Sequence, residues 1–415
     1  MVFMQTVPKS MRLHLGIFGR TNVGKSTFLN FLVDQDVAIA SSQPGTTTDV
    51  VEKSMELLPL GPVVLHDTAG LDDESALGHL RTEKTRAVFA RVDLLILLIQ
   101  PNQWGEIEEF IYQTALGKKK PLLVVSSHYD ISPLSPQFRA EMATRRLHLL
   151  TCNALDRGGR DAFLTEFTAT IATNNLLPIT EPKLLGDLLG QFSRVVMIVP
   201  IDLQAPKHRL ILPQVQAIRD ALDHGAMITV VKEDRYADCL QEFSRLPDLV
   251  VCDSQVVDLM VAQTPEELAC TTFSILFSRL KGDMAQMLAG AEAIDQLIDG
   301  DKVLIAEACT HHATEDDIGR VKIPRWLRKY SGKKVEIDVF SGRDFPENLE
   351  DYKLIIHCGS CMLNRQETLS RLEKAGELGI PITNYGMAIS LMKGVLPRVT
   401  APFSELVTIN SHKRM

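Results

Sequence analysis

The stretch LHLGIFGRTNVGKST, residues 13–27, decides the fold of the N-terminal part of the chain. Its apolar first half predicts a buried strand, and its second half fits the phosphate-loop pattern G-x-x-x-x-G-K-[ST]. In such a loop, glycines let consecutive backbone N–H groups surround phosphate oxygens at the positive end of the next helix. Lys25 is expected to contact the β and γ phosphates, and Ser26 to bind Mg²⁺. The sequence therefore predicts a nucleotide-binding domain.

Two further motifs follow in the order that this kind of site requires. Residues 43–49, QPGTTTD, form a polar loop whose threonines offer a second Mg²⁺ ligand. They are Thr46, Thr47 and Thr48, of which Thr48 is the predicted ligand. Residues 63–70, VVLHDTAG, predict a strand that ends in D-x-x-G. Asp67 is expected to hold Mg²⁺ through water, and the Gly70 N–H to contact the γ phosphate.

Together these motifs resemble the translation-factor-type GTPases of the group that includes Era and TrmE, whose second motif reads P-G-T-T-x-D. The resemblance implies GTP and Mg²⁺ as ligands. Leu71 stands where Ras-like enzymes place a glutamine that orients water, which predicts slow hydrolysis. Asn22 matches an asparagine that holds K⁺ against the phosphates, so hydrolysis is expected to be stimulated by K⁺. Lys25, Asn22 and Asp67 are the predicted catalytic residues, and the predicted loop contacts are Gly19, Asn22, Val23, Gly24, Lys25, Ser26 and Thr27.

The motif that reads the base departs from this group. Residues 127–130 are SHYD, where the group has Asn-Lys-x-Asp. Asp130 is retained, and its carboxylate can accept two hydrogen bonds from guanine. By position, Thr151 and Cys152 match the group's Ser-Ala-x segment, and Cys152 is interpreted as a small residue of the base pocket. The departure predicts guanine selectivity with weakened binding.

A second group of reactive side chains lies near the C-terminus, at the ends of two apolar runs. Cys309 and His311 follow residues 303–306, and His357-Cys358-Gly359-Ser360-Cys361 follows residues 354–356. If both runs are neighbouring strands of one parallel sheet, their carboxyl ends open into the same crevice, where such sheets bind ligands. An acidic loop with Glu315 and Asp316 lies between the two groups. The pattern favours a soft metal or an iron–sulfur cluster.

Several interpretations of these cysteines stay open on the residues alone. A Cys-x-x-Cys can be a redox pair, although the distant Cys309 argues against it. Structural zinc would be satisfied by three thiolates and a histidine. Buried cysteines without a metal are a third possibility. The leading interpretation is a [4Fe–4S] cluster on three thiolates, with an exchangeable fourth ligand such as His311, Glu315, Asp316 or His357.

The C-terminal pattern also resembles the HydF family, GTPases that mature [FeFe]-hydrogenase. The resemblance rests on Cys-x-His, His-Cys-x-x-Cys and the segments 281–283 (KGD), 317–324 (DIGRVKIP) and 384–386 (NYG). It implies Cys309, Cys358 and Cys361 as cluster thiolates, with His311 and His357 nearby. It also implies a homodimeric scaffold and carrier that receives a transient diiron subcluster precursor, works with two radical-SAM maturases and serves apo-[FeFe]-hydrogenase.

Length and alternation of strands and helices predict an α/β protein of three units. With the roles that the resemblance implies, they are a P-loop GTPase domain at 1–175, a small parallel-sheet dimerisation domain at 183–268 and a doubly wound cluster-binding domain at 269–415. The 415 residues carry 44 basic and 52 acidic side chains, so no basic field favours a nucleic-acid partner. Apolar runs are too short to span a membrane. Seven cysteines without a disulfide pattern predict a reducing, cytoplasmic location.

Two other functional classes compete with this interpretation. A regulatory GTPase that acts on RNA or ribosomes, with structural zinc in its C-terminal part, would need a basic surface with interleaved aromatic residues. A redox enzyme that uses the cluster for electron transfer would need a substrate pocket. Neither feature is evident in the sequence.

Overall fold

The fold is given by a computed structural model, which describes residues 7–34, 51–68, 87–127, 132–177, 183–201, 210–308 and 317–404. By contacts between residues, the chain divides into two compact units, residues 1–181 and 182–415. Each unit contains parallel β-sheet flanked by helices. The predicted α/β class is confirmed.

The first unit contains one six-stranded sheet, in the order β2-β3-β1-β4-β5-β6. Its strands are β1 (Leu13–Phe18), β2 (Val51–Leu57), β3 (Gly61–Asp67), β4 (Leu94–Ile99), β5 (Leu122–Ser126) and β6 (His148–Thr151). Only β2 among these strands runs antiparallel to its neighbour. All six residues of β4 are buried, because this central strand packs against a hydrophobic cluster on each face of the sheet. The apolar runs of the sequence therefore correspond to the sheet interior.

The helices of this unit that lie wholly within the described residues follow β1, β4, β5 and β6 along the chain. They are α1 (Lys25–Val33), α2 (Glu106–Gly117), α3 (Pro136–Thr144) and α4 (Arg160–Thr173). Phe28 and Phe31 of α1 contact Phe163 of α4, and these rings join the cluster on one face. The helix that follows the phosphate loop is thereby fixed by aromatic packing.

The second unit contains two four-stranded sheets, both parallel throughout. The strands of one are β7 (Arg194–Ile198), β8 (Met227–Val231), β9 (Leu249–Cys252) and β10 (Ala269–Thr272). Those of the other are β11 (Lys302–Glu307), β12 (Glu336–Ser341), β13 (Leu354–His357) and β14 (Ile382–Asn384). The helices are α5 (Leu212–Asp223), α6 (Tyr236–Glu242), α7 (Val257–Gln263), α8 (Phe273–Lys281), α9 (Met284–Glu292), α10 (Ile323–Ser331), α11 (Arg365–Glu377), α12 (Tyr385–Met392) and α13 (Leu396–Thr400).

These two sheets have the same topology. Their orders are β8-β7-β9-β10 and β12-β11-β13-β14, so the first strand of each lies between the second and the third. A helix follows the fourth strand in each half, α8 after β10 and α12 after β14. The second residues of these helices meet, since a Cβ added to Gly386 would lie 2.2 Å from the Cβ of Ser274. Equivalent residues that contact each other are the mark of two halves related by a two-fold arrangement.

One continuous hydrophobic cluster joins the two halves of the second unit. It runs from Leu184 to Phe403 and includes buried residues of both sheets. The predicted boundary between residues 268 and 269 falls directly before β10, which pairs with β9. The first sheet of this unit therefore extends past that boundary, and the predicted domain ranges remain a prediction.

Among the described residues, no helix combines the length and the apolar character needed to cross a membrane.

Gly290 sets the spacing between α9 and the edge strand β14. A Cβ at this position would lie 2.0 Å from the carbonyl oxygen of Ile382. We expect Gly290→Ala to lower the free energy of unfolding of this unit by about 1–3 kcal/mol, the usual effect of overpacking. Gly376→Ala is the control, since that helical position has space for a methyl group and alanine should stabilise it by about 0.5–1 kcal/mol. Urea denaturation measures both, and equal effects would contradict the close approach.

Candidate functional site

The phosphate loop leaves β1 with the backbone geometry that its glycines permit. Gly19 has φ +148°, and a Cβ there would lie 2.4 Å from the carbonyl oxygen of Leu98. Gly24 has φ +98° and precedes the first residue of α1. Asn22 also has a positive φ, 63°, which asparagine tolerates better than most residues, and its side chain is exposed. The predicted loop is therefore present, with Val23 buried beneath it.

Lys25 and Ser26, the first residues of α1, lie where the pattern places the phosphate and Mg²⁺ contacts. The Lys25 ammonium donates to the carbonyl oxygens of Gly19 (3.1 Å) and Arg20 (2.7 Å). Ser26 Oγ donates to Asp67 Oδ2 at 2.6 Å, so the two predicted Mg²⁺ residues from α1 and β3 meet. Burial raises the pKa of Asp67, while the Ser26 hydrogen bond and the charge of Lys25 act in the opposite direction. Asp67 Oδ1 is buried and has no hydrogen-bond partner among the described residues, an acceptor suited to a hydrated cation.

Arg20 anchors the loop from a position that the sequence pattern leaves open. Its guanidinium makes a bidentate pair with Glu108 of α2, at 2.8 and 2.7 Å. Glu108 is 1% exposed. Burial alone would raise its pKa, but the hydrogen bonds from Arg20 and from backbone N–H groups outweigh burial and lower it. The carboxylate is thus charged and holds the loop against α2.

Ser127 takes a structural part where the guanine-reading motif departs from its group. Its Oγ lies 3.0 Å from the carbonyl oxygens of both Val23, in the phosphate loop, and Ile99, at the end of β4. The hydroxyl donates its one proton to either of them. The change to serine is predicted to weaken base binding, but the Ser127 hydroxyl contacts the phosphate loop and helps to position it.

Thr151 and Cys152 lie at the end of β6 and line a cavity of about 230 Å³. The Cys152 thiol is 3% exposed, and burial raises its pKa to about 12. Such a thiol is unreactive, and its place beside the base stays a prediction. The other nucleotide-site predictions, Thr46, Thr47, Thr48, Gly70 and Asp130, lie outside the described residues.

The second candidate site lies at the carboxyl ends of β11 and β13. These strands are direct neighbours, with Ala306 opposite His357, as the sequence required for one shared crevice. β12 lies on the other side of β11, so the strand order reverses between β11 and β13. Open parallel sheets bind their ligands at such a switch point. The backbone N–H of Ala308 donates to Cys358 Sγ at 3.2 Å, which brings the residue before Cys309 to the cysteine loop.

The cysteine loop, residues 358–364, contains Cys358 and Cys361, both partly exposed. Burial is the main cause that raises the pKa of Cys361, and the nearby Cys358 adds to it. Lys281 and the backbone N–H groups of Met362 and Cys361 lower the same pKa. The charges of Cys358 and Lys281 thus act on the Cys361 thiol, together with two backbone N–H groups.

His357 is 2% exposed, and its two ring nitrogens have different surroundings. Nδ1 lies 3.1 Å from Ser360 Oγ, while Nε2 has no hydrogen-bond partner within the described parts of the chain. Burial, followed by the charge of Arg371, lowers the pKa of His357 to about 3, so the imidazole is neutral at pH 7. A neutral imidazole with a buried unpaired nitrogen fits a metal ligand.

Cys309, His311, Glu315 and Asp316 lie outside the described residues. Within the described ranges, no group of three or more histidine, cysteine or acidic side chains is placed to hold a metal. What the described residues bring together is Cys358, Cys361 and the chain leading to Cys309. Sequence reasoning missed Lys281, which donates to three carbonyl oxygens of the cysteine loop, because a lysine gives no signal of burial in the sequence.

Ser127 and Ser126 form a matched pair for testing the support of the phosphate loop. We expect Ser127→Ala to weaken guanine-nucleotide binding about fivefold, which corresponds to ~1 kcal/mol for one lost buried hydrogen bond. Ser126 is equally buried, but its hydroxyl has no partner among the described residues, so Ser126→Ala should leave binding unchanged. Titration with a fluorescent GDP analogue measures both, and equal affinities would rule out the positioning role of Ser127.

Three family models match the chain in sequence order. Residues 14–128 match a 50S ribosome-binding GTPase model, residues 184–282 the hydrogen maturase F dimerization domain, and residues 285–402 the hydrogen maturase F tetramerization domain. The predicted GTPase domain is thereby confirmed. The two further matches indicate self-assembly.

Curated relatives match about a third of the chain. The tRNA modification GTPase MnmE of Latilactobacillus sakei is 33% identical over 135 residues, which are 31% of this chain and 29% of the relative. GTPase Der of Deinococcus deserti is 31% identical over 147 residues, 35% of this chain and 33% of the relative. The chain thus spans about a third of the length of these relatives. They are GTPases and support the GTPase domain.

Among solved structures, Era of Aquifex aeolicus is similar to 56% of this chain and 99% of its own, at 20% identity and a TM-score of 0.35. A likeness of this size carries no argument about function. The two C-terminal family models together match more than half of the chain, behind a GTPase domain, and on these matches the chain belongs to the hydrogen maturase F family.

Proposed function

We propose that this protein is a GTP-hydrolysing scaffold and carrier that matures [FeFe]-hydrogenase. In this proposal it helps to assemble the diiron subcluster precursor with two radical-SAM maturases and delivers the precursor to the apo-hydrogenase. One observation carries the proposal: β11 and β13 pair at the switch point of their sheet, and the N–H before Cys309 bonds Cys358. The family matches supply the biological context.

The donor set at this switch point suits a [4Fe–4S] cluster. Cys309, Cys358 and Cys361 would hold it, and the cluster would supply one iron whose remaining ligand exchanges. Among the described residues, the neutral His357 offers such a ligand. His311, Glu315 and Asp316, which lie outside the described residues, are the other candidates. The protein's own part is to keep the thiols together, to donate N–H groups to their sulfur atoms and to leave one coordination place weakly held.

The GTPase domain would act as a switch through the residues around β1 and β3. Lys25 and the loop N–H groups bind the phosphates, while Ser26, Asp67 and Thr48 hold Mg²⁺. Asn22, exposed at the loop surface, is the proposed K⁺ contact. With Leu71 in place of a residue that orients water, we infer slow hydrolysis that K⁺ accelerates.

The sheet of the dimerisation segment supports assembly into a homodimer. β8 is one of the two edge strands of this sheet in the order that the structure describes. Met227 and Val230 of this strand are 62% and 45% exposed. An exposed apolar edge strand is a surface that proteins cover, and a second copy of the chain is the occupant that the dimerization match favours.

Cell-free activation of an apo-[FeFe]-hydrogenase with both radical-SAM maturases tests the function. Wild type should activate the hydrogenase. Cys358→Ser should lose most of its iron and its activation but keep GTP hydrolysis, whereas Lys25→Ala should lose hydrolysis and keep iron. Cys239→Ser is the control, because that cysteine lies on α6, in the other half of the second unit.

Two results would contradict this proposal. If anaerobically reconstituted wild type is colourless and contains one zinc, the alternative of a regulatory GTPase with structural zinc is favoured instead. If Cys358→Ser activates as well as wild type, the cysteine loop has no part in maturation.

Replacement of K⁺ by Na⁺ at equal ionic strength tests the role of Asn22. We expect GTP hydrolysis to slow about tenfold, which corresponds to ~1.4 kcal/mol of transition-state stabilisation. Asn22→Gly, which keeps the positive φ without the side-chain amide, should hydrolyse GTP at the slow rate in both salts. A variant that still responds to K⁺ would remove Asn22 from this role. Phosphate release over time is the measurement.

A further inference from the structure

A buried ammonium group lies against the cysteine loop. Lys281, the last residue of α8, is 2% exposed. Its Nζ donates to the carbonyl oxygens of Ser360 (3.1 Å), Cys361 (3.2 Å) and Leu363 (2.7 Å). An ammonium group has three N–H donors, and the three carbonyls match them in number. One side chain therefore fixes the direction of three peptide units between residues 360 and 364.

The direction of these carbonyl groups also fixes the direction of the N–H groups near the sulfur atom of Cys361. In a planar trans peptide, the N–H points opposite to the C=O of the same unit. The carbonyls of Ser360 and Cys361 point at Lys281, so the N–H groups of Cys361 and Met362 point away from it. The same two N–H groups lower the pKa of the Cys361 thiol. Lys281 thus orients the loop so that the N–H groups of Cys361 and Met362 are directed away from the lysine and can act on the thiol.

Lys281 reaches the cysteine loop from the other half of the second unit. It follows β10, whereas the loop follows β13. The equivalent lysine of the other half is Lys393, which directly follows α12 and donates to Asp258 Oδ2 of α7 at 2.7 Å. Each lysine thus contacts the segment behind the third strand of the opposite sheet. Each also lies over an aromatic ring, Phe277 for Lys281 and Trp326 for Lys393.

We propose that Lys281 is a positioning residue of the cluster site, which holds Cys358 and Cys361 in place for iron and places a positive charge beside them. This inference rests on the proposed function for its metal, but the tether itself belongs to the protein. Lys281 lies in the segment matched by the dimerization domain, and the cysteine loop in that matched by the tetramerization domain. The lysine therefore couples the two segments at the candidate site.

Lys281→Met and Lys393→Met in the full chain form the matched test. In the metal-free protein, amide hydrogen exchange in residues 358–364 should become at least about tenfold faster in Lys281→Met and stay unchanged in Lys393→Met. After anaerobic reconstitution, iron affinity should fall about tenfold or more in Lys281→Met alone, the usual effect of losing a group that orients a metal ligand. The midpoint potential of the reconstituted cluster should become more negative in Lys281→Met, because a nearby positive charge is lost.

The outcomes separate this proposal from the proposed function. Unchanged loop exchange and iron affinity in Lys281→Met would overturn the positioning role. If wild type binds no iron while the loop of Lys281→Met exchanges faster, the cluster function fails and the tether stands. If Lys281→Met does not fold, Lys281→Gln provides the same measurements, since its amide keeps two N–H donors without the charge. It should retain more loop protection than Met and still shift the potential, and a potential equal to that of wild type would remove the charge from the proposal.

Discussion

Parallel strand pairing is the constraint on which the rest of this structure depends. Every parallel strand ends at the same edge of its sheet, and the chain leaves regular hydrogen bonding there. Backbone N–H groups and side chains that follow the strands are then available to a ligand. The phosphate loop after β1 and Asp67 at the end of β3 meet at one such edge, where Ser26 bonds Asp67. Cys358 and the chain towards Cys309 meet at another. Both candidate sites are thus consequences of topology before they are consequences of residue choice.

Much of the fold follows from local patterns in the sequence. Runs such as residues 94–99 predict buried strands, and all six residues are buried. What the sequence hides is pairing between distant segments. β10 has the sequence ACTT, whose two threonines are fully buried although their side chains are polar, so it gives no apolar signal and the predicted boundary fell before it. The shared core and the common strand order of the two C-terminal sheets are likewise long-range features, which periodicity does not report.

In the candidate sites, too, the sequence predicts local features and misses contacts between distant residues. Glycine spacing predicts the phosphate loop because φ values above zero are a local demand of the backbone. By contrast, the sequence indicates only a lost base contact at Ser127, because the hydrogen bond from Ser127 to Val23 joins residues 104 positions apart. Lys281 belongs to a family segment, but the sequence indicates no role for it. A lysine is usually exposed, and only the fold shows three carbonyl oxygens around its ammonium group.

Lys281 and Lys393, which each contact the opposite half of the second unit, affect where the chain can be cut into fragments. The two C-terminal family segments meet between residues 282 and 285, which suggests a place to separate them. A fragment that begins there would lack Lys281, and three carbonyl groups of its cysteine loop would lose their donor. The complementary fragment would lose the contact of Ser274 with Gly386 and expose its part of the hydrophobic cluster that spans both sheets. The two segments thus belong to one compact unit, and exchange of either one alone between homologues would replace one partner of each of these contacts.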